Sequence, residues 1–263
     1  MTEPHQHTPI LKVENVVVDY DGFKALQGLN FSMDYPELRV VIGPNGAGKS
    51  TFMDVITGKV KPAEGTLHFQ ANGQSVDLTT LREHEIATLG IGRKFQRPSV
   101  FSNLTVWENL DISLHRKSKG LFATLFSKPT TPEAEKVSEV LKTIGLSDKA
   151  QDLAGSLSHG QKQWLEIGMV LIQNPKLLLI DEPVAGMTDQ ETEKTGELLN
   201  ELAVDHSVIV IEHDMEFVRS IAKMVTVLHE GSVLIEGPME EVQADPKVME
   251  IYLGRAAEAD DSA

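Results

Sequence analysis

Leu38-Arg39-Val40-Val41-Ile42-Gly43-Pro44-Asn45-Gly46-Ala47-Gly48-Lys49-Ser50-Thr51 restricts this chain more than any other stretch. A short apolar run ends at Gly43, and Lys49 and Ser50 follow six residues that include three glycines. The spacing G-x-x-x-x-G-K-[ST] is that of a phosphate-binding loop. Glycine has no Cβ to stop backbone N–H groups from turning inward around an anion. Lys49 can then reach the β and γ phosphates of a nucleotide, and the Ser50 hydroxyl can bind Mg²⁺. A helix opening near Gly48 points its amides and dipole at the same anion. Phe52, Met53, Val55 and Ile56 follow at helical spacing, so the loop joins an apolar strand to an amphipathic helix.

The 263 residues suffice for one large α/β domain or a core with an inserted subdomain. There is no cysteine, which excludes disulfides and thiolate metal sites. A net charge of −15 argues against nucleic acid or anionic lipid as a partner. No apolar stretch reaches the roughly 18 residues of a membrane span. The segment 1–9 is polar and does not read as a secretory signal. Any work at a membrane therefore requires another chain to hold this one there.

Ile10 to Tyr20 and Leu26 to Met33 read as strands around an Asp21-Gly22 turn, an antiparallel sheet ahead of the loop. Gly58 and Pro62 end the loop's helix, and Gly65 to Phe69 resumes a strand. Leu78 to Thr88 reads as one short helix, and Gly90 onward as a strand broken at Pro98. From Val106 to about Gly168 the composition favours helix, interrupted by a Lys/Ser/Thr/Pro stretch between His115 and Pro132. The expected layout is one domain over 10–255, with a helical subdomain inserted at about 98–168 and disordered tails at 1–9 and 256–263.

Leu177-Leu178-Leu179-Ile180 suits a strand buried on both faces of a parallel sheet. Asp181 and Glu182 emerge at its carboxyl end, where open α/β sheets place ligands. Asp181 is the candidate Mg²⁺ ligand, and Glu182 the candidate to orient or deprotonate an attacking water. Val208 to Ile211 is a second buried strand, and His213 at its end is placed to donate to a γ-phosphate. Gln96, between strand and helical insertion, could touch Mg²⁺ or that water. Tyr20 could stack on an adenine ring or be an ordinary strand-end aromatic. Ser158 and Gln161 fit an S-x-x-Q capping box, and Gly160 leaves that helix start bare enough to bind an anion. A second phosphate-binding element so far from the loop suggests service to another subunit's nucleotide.

Tyr20, Gly43 to Thr51, Gln96, Leu157 to Gln161, Leu177 to Glu182, Ala185 to Asp189 and His213 together resemble the ATP-binding subunits of ABC transporters. The resemblance covers about residues 10–255. It implies an α/β P-loop NTPase core with a mostly parallel sheet, an N-terminal antiparallel β subdomain and an inserted α-helical subdomain. It implies ATP hydrolysis with Mg²⁺ held by Ser50, Gln96 and Asp181. Glu182, His213 and Gln96 take the catalytic positions, and Tyr20 the adenine-stacking one. It also implies a dimer, of like or unlike subunits, in which Lys49 and Ser50 of one chain and Ser158, Gly160 and Gln161 of the other enclose each ATP. The remaining implied partners are two transmembrane permease subunits and an external solute-binding protein. The chain would sit peripherally on the cytoplasmic face of the plasma membrane, touching it only through the permease. Two departures stand out: His159 occupies a position usually glycine, and Ala185-Gly186-Met187-Thr188-Asp189 replaces the common Ser-Ala-Leu-Asp.

Ala185-Gly186-Met187 and the Asp245-to-Gly254 ending are similar to the branched-chain amino-acid importer subfamily. Within it, Gly92 to Gln96, Leu157 to Met169 and Glu182 to Asp189 resemble the D-type ATPase of urea uptake systems. Urea is therefore the expected cargo, with branched-chain or other amino acids as the alternative. A permease-free cassette acting on ribosomes or DNA is disfavoured by the acidic charge and the absence of a fused second cassette.

Overall fold

The computed structural model describes residues 9–71, 73–94, 100–115 and 130–251. The strands are β1 (Leu11–Tyr20), β2 (Phe23–Met33), β3 (Leu38–Ile42), β4 (Glu64–Ala71), β5 (Gln74–Asp77), β6 (Ile91–Lys94), β7 (Leu177–Asp181), β8 (Ser207–Ile211), β9 (Met224–His229) and β10 (Ser232–Gly237). The helices are α1 (Lys49–Ile56), α2 (Glu83–Thr88), α3 (Val106–His115), α4 (Thr131–Thr143), α5 (His159–Leu171), α6 (Asp189–Leu202), α7 (Met215–Ile221) and α8 (Met239–Ala244).

One sheet runs β10-β9-β3-β8-β7-β6 and is parallel except for β10. The other is antiparallel, in the order β2-β1-β4-β5. The apolar runs of β7, β8 and Val40, Val41 and Ile42 of β3 are explained by burial on both faces. Val40, Ile42, Leu178, Ile180, Val208 and Val210 face a core shared with the helices that follow β6. Val41, Leu177, Leu179, Ile209 and Ile211 face the opposite core, shared with α1 and the antiparallel sheet. Strand period two thus divides each run between two cores. Phe52 of α1 meets Phe31 of β2 edge-on with centroids 5.0 Å apart, fixing the phosphate-loop helix against the antiparallel sheet.

The opening hairpin is tighter than expected. Asp21 and Gly22 both take positive φ, 50° and 95°, so a two-residue turn pairs Tyr20 with Phe23 and β2 begins three residues before Leu26. The helix expected over Leu78–Thr88 is divided. Asp77 caps a 3₁₀ turn at Leu78–Thr80 through the Thr79 amide at 2.9 Å, and Leu81 is extended. Glu85 then opens α2, its Oε2 reaching back to accept the Arg82 amide at 2.8 Å. The expected tails lie outside the described residues apart from Pro9, as does most of the His115–Pro132 stretch.

On the helical side, the Trp164 indole of α5 donates to Thr195 Oγ of α6 at 2.9 Å in a buried contact. Trp164→Phe removes that donor and leaves most of the ring. A loss of about 1–2 kcal/mol of stability is expected, read by guanidinium unfolding; an unchanged midpoint would show that this bond contributes nothing.

Candidate functional site

The loop between β3 and α1 is shaped by close approaches. A Cβ at Gly43 (φ +153°) would lie 2.2 Å from the Leu228 carbonyl oxygen, and one at Gly48 (φ +99°) would lie 2.7 Å from that of Ala25. Strands β9 and β2 therefore press on the two ends of the loop, and only glycine fits there. The loop closes through the Ala47 amide on the Pro44 carbonyl at 3.1 Å, while the Ala47 carbonyl accepts from Gly231 at 3.1 Å. Lys49 Nζ donates to the carbonyls of Gly43 and Pro44 at 2.7 and 3.1 Å, so its ammonium lies along the cradle. Ser50 follows in the first turn of α1 and is exposed. Asn45 and Gly46 form the exposed crest, and Thr51 is half-buried.

Sheet register brings the other groups to the same end. Val41 pairs with Ile211, and Ile211 with Asp181, so the carboxyl ends of β3, β8 and β7 lie in one row. Gly43 and His213 each lie two residues beyond that row, and Glu182 one. Asp181 is 3% exposed, and burial pushes its carboxyl up against the opposing Arg93 guanidinium. Lys49 is close enough to pull the same carboxyl down. Glu182 has φ +46° and donates its amide to the Ile211 carbonyl at 3.0 Å. His213 Nδ1 then lies 3.3 Å from Glu182 Oε1, with both side chains open to solvent. The structure therefore unites Lys49, Ser50, Asp181, Glu182 and His213. Tyr20 is 46% exposed at the end of β1, on the hairpin whose second strand presses on Gly48 at Ala25 and Leu26. Gln96 lies outside the described residues.

Ser158, Gly160 and Gln161 open α5 as expected. Ser158 Oγ accepts from the Gln161 amide at 3.2 Å, and Gln161 Oε1 accepts from the Ser158 amide at 3.0 Å. The helix start is not bare, however. Ser158 Oγ donates to Glu191 Oε1 at 2.7 Å, and a Cβ on Gly160 would lie 2.6 Å from that carboxylate. His159 Nε2 lies 3.1 Å from the Ala185 carbonyl, so the unusual histidine ties this helix start to the turn after Glu182.

Three further charged groups went unread in the sequence. Arg93 Nη1 pairs with Asp54 of α1, and its Nη2 lies 3.8 Å from Asp181. Its neighbour Lys94 points to the opposite face, 3.7 Å from Glu166 of α5, and burial pushes its ammonium down. Glu212 is 1% exposed and accepts the amides of Val184, His213 and Asp214 at 3.3, 3.0 and 3.4 Å. A carboxylate ending an apolar strand beside His213 was the available signal. Glu212→Gln converts one of its two acceptor atoms into a donor facing backbone N–H groups. Turnover is expected to fall roughly tenfold with ATP affinity kept, through loosening of His213; unchanged turnover would remove Glu212 from the site.

A phosphate loop, a buried aspartate, and a glutamate–histidine pair at the carboxyl ends of a parallel sheet define a P-loop nucleotide hydrolase. The ABC transporter family matches residues 26–185, and the branched-chain amino acid ATP-binding cassette transporter family matches residues 232–258. The chain belongs to the ATP-binding proteins of ABC transporters, on the branch that includes LivG and BraF. It is 33% identical to the high-affinity branched-chain amino acid transport ATP-binding protein BraF of Pseudomonas aeruginosa, over 94% of this chain and 99% of that one. It is 36% identical to a probable LivG of Methanocaldococcus jannaschii, over 93% and 97%. Among solved structures it resembles the ADP conformation of the ATP-binding cassette MJ1267 (36% identity, TM-score 0.80, 94% and 99% covered). It also resembles a dimeric post-hydrolysis state of the cassette MJ0796 bound to ADP and Pi (27% identity, TM-score 0.72, 87% and 98% covered). Proteins of this family hydrolyse ATP, and this chain is an ATPase of that kind. The subunits work as dimers with transmembrane permeases.

Proposed function

We propose that this chain energises an ABC importer for branched-chain amino acids. The observation that carries this reading is the near full-length similarity to proteins named for that transport, together with a phosphate loop, aspartate, glutamate and histidine at the carboxyl end of one sheet. The narrower expectation of urea finds no support in those relatives, so the amino-acid alternative replaces it.

Gly43 to Thr51 would hold the nucleotide phosphates, Lys49 Nζ moving from the Gly43 and Pro44 carbonyls to the β and γ oxygens. Tyr20 would cover the adenine. Ser50 and Asp181 offer a hydroxyl and a buried carboxylate, the hard oxygen donors that suit Mg²⁺, with Gln96 as a further oxygen. Mg²⁺ bound there would neutralise phosphate charge during hydrolysis. Glu182 would orient the attacking water and take its proton, and His213 would hold the γ-phosphate side and steady Glu182. Ser158, Gly160 and Gln161 would meet the nucleotide of a second ATPase subunit, like or unlike this one.

No helix among the described residues is long and apolar enough to cross a membrane. On the importer reading, the chain would sit peripherally on the cytoplasmic face of the plasma membrane, held by two permease subunits and supplied by an external solute-binding protein. A cleft of about 530 Å³, lined by Phe101, Ile112, Lys94 and Glu166 among others, is the face we assign to the permease. We take 10–255 as one unit, in which the helical segment at about 98–168 passes site closure to that face.

The test is uptake by cells carrying only the Glu182→Gln chain. Labelled leucine uptake should be lost with urea uptake unchanged. Loss of urea uptake alone would restore the urea reading, and loss of neither would contradict an importer role.

A further inference from the structure

The start of α5 is covered by a carboxylate from the same chain. Glu191 lies in the first turn of α6, in the segment that follows strand β7. Its Oε1 accepts from the Ser158 hydroxyl at 2.7 Å. Its Oε2 accepts from the Thr188 amide and hydroxyl, each at 3.1 Å. A Cβ placed on Gly160 would lie 2.6 Å from both its Cδ and its Oε1, and the Ser158 hydroxyl, then Thr188 and the Gly160 amide, hold this carboxyl below the usual range. One carboxylate thus caps two helices, and it rests on the anion-accepting end of α5.

We propose that Glu191 is an internal stand-in for phosphate: it holds the Ser158 hydroxyl and the Gly160 amide until the nucleotide of a second copy of this chain displaces it. The inference rests on the two-subunit site of the proposed function and adds to it a residue that opposes pairing. Ser158 has a single hydroxyl proton, so it cannot donate to Glu191 and to a phosphate together. Two anions on one helix end also repel. The exchange is built to be reversible, because Oε2 keeps its Thr188 donors when Oε1 leaves. The small side chain at 160 matters for the same reason: the seat accepts either anion only while no Cβ fills it.

The experiment measures self-association by sedimentation equilibrium with MgATP, in the full chain carrying Glu182→Gln so that ATP persists. The chain with Glu191→Gln added is compared with that parent, and thermal unfolding confirms that each is folded. The pairing constant should tighten about tenfold or more, because a neutral amide oxygen holds the Ser158 hydroxyl less tightly than a carboxylate and a like charge is removed at two equivalent sites. Glu191→Asp, which draws the carboxylate back from Ser158 and keeps its charge, should shift pairing in the same direction by less. It decides by the same criterion if the Gln variant does not fold.

Equal or weaker pairing in the folded variant would overturn the inference, leaving Glu191 as a helix cap that pre-sets Ser158. Failure of the Glu182→Gln parent to pair with MgATP would instead overturn the two-copy reading beneath it. Inorganic phosphate alone should not produce pairing; if it did, the nucleotide would not be the displacing anion.

Discussion

Glu182→Gln should bind ATP normally and hydrolyse it at least about 10²-fold more slowly, the usual size of a lost acid–base contribution. Glutamine has the same shape and can still meet His213 Nδ1 at the 3.3 Å now spanned by the carboxylate, so the site keeps its geometry. What it loses is the capacity to take a proton from water. The left-handed backbone at Glu182, φ +46°, supports the same role, because the chain leaves the strand there and the side chain meets His213 Nδ1. A residue held there at some conformational cost points to a functional placement. Initial rates with saturating ATP, beside equilibrium ATP binding, separate the two effects. Unimpaired turnover would remove Glu182 from the chemistry.

Lys49→Ala should act on binding itself. The ammonium already lies along the loop on the Gly43 and Pro44 carbonyls, so it both braces the cradle and waits beside the phosphate position. Charge-assisted contacts of this kind are worth about 1.5–3 kcal/mol, which corresponds to an ATP affinity roughly 10- to 150-fold weaker. Titration calorimetry reads this directly. Because α1 is held by its own apolar face, with Phe52, Met53, Val55 and Ile56 buried, the fold should survive the change. ATP affinity equal to that of the unaltered chain would contradict the assignment of the loop.

The readable parts of the sequence were those whose physics is local. The loop shows itself because glycine spacing, strand and helix all fall within fourteen residues. The strands β7 and β8 show because burial on both faces demands an unbroken apolar run. The Ser158–Gln161 cap likewise involves residues three apart. Arg93, Glu212 and Glu191 act across the fold instead. Arg93 meets Asp54 thirty-nine positions away, and Glu191 meets Ser158 across thirty-three, separations that no periodicity encodes. The same reason explains the misjudged helix start at Gly160: the missing Cβ was legible, but the carboxylate that rests there was not. The single helix expected over Leu78–Thr88 failed for a different cause, since Asp77 caps one turn and Glu85 closes back on the Arg82 amide to start another. Strands β9 and β10 carried a usable signal that went unread, a Glu230-Gly231 turn with φ of 47° and 75° between alternating apolar residues.

The central claim is that one ATP is enclosed by the phosphate loop of one chain and the α5 start of another. It is tested most directly by solving the structure of the Glu182→Gln chain with MgATP. The expected result is a pair of chains, each γ-phosphate touching Lys49 and Ser50 of one copy and Ser158 of the other. Asp181 should lie at the metal, and the amide introduced by the substitution should still lie beside His213. ATP bound at Lys49 while Ser158 remains on Glu191, facing no nucleotide, would contradict the account.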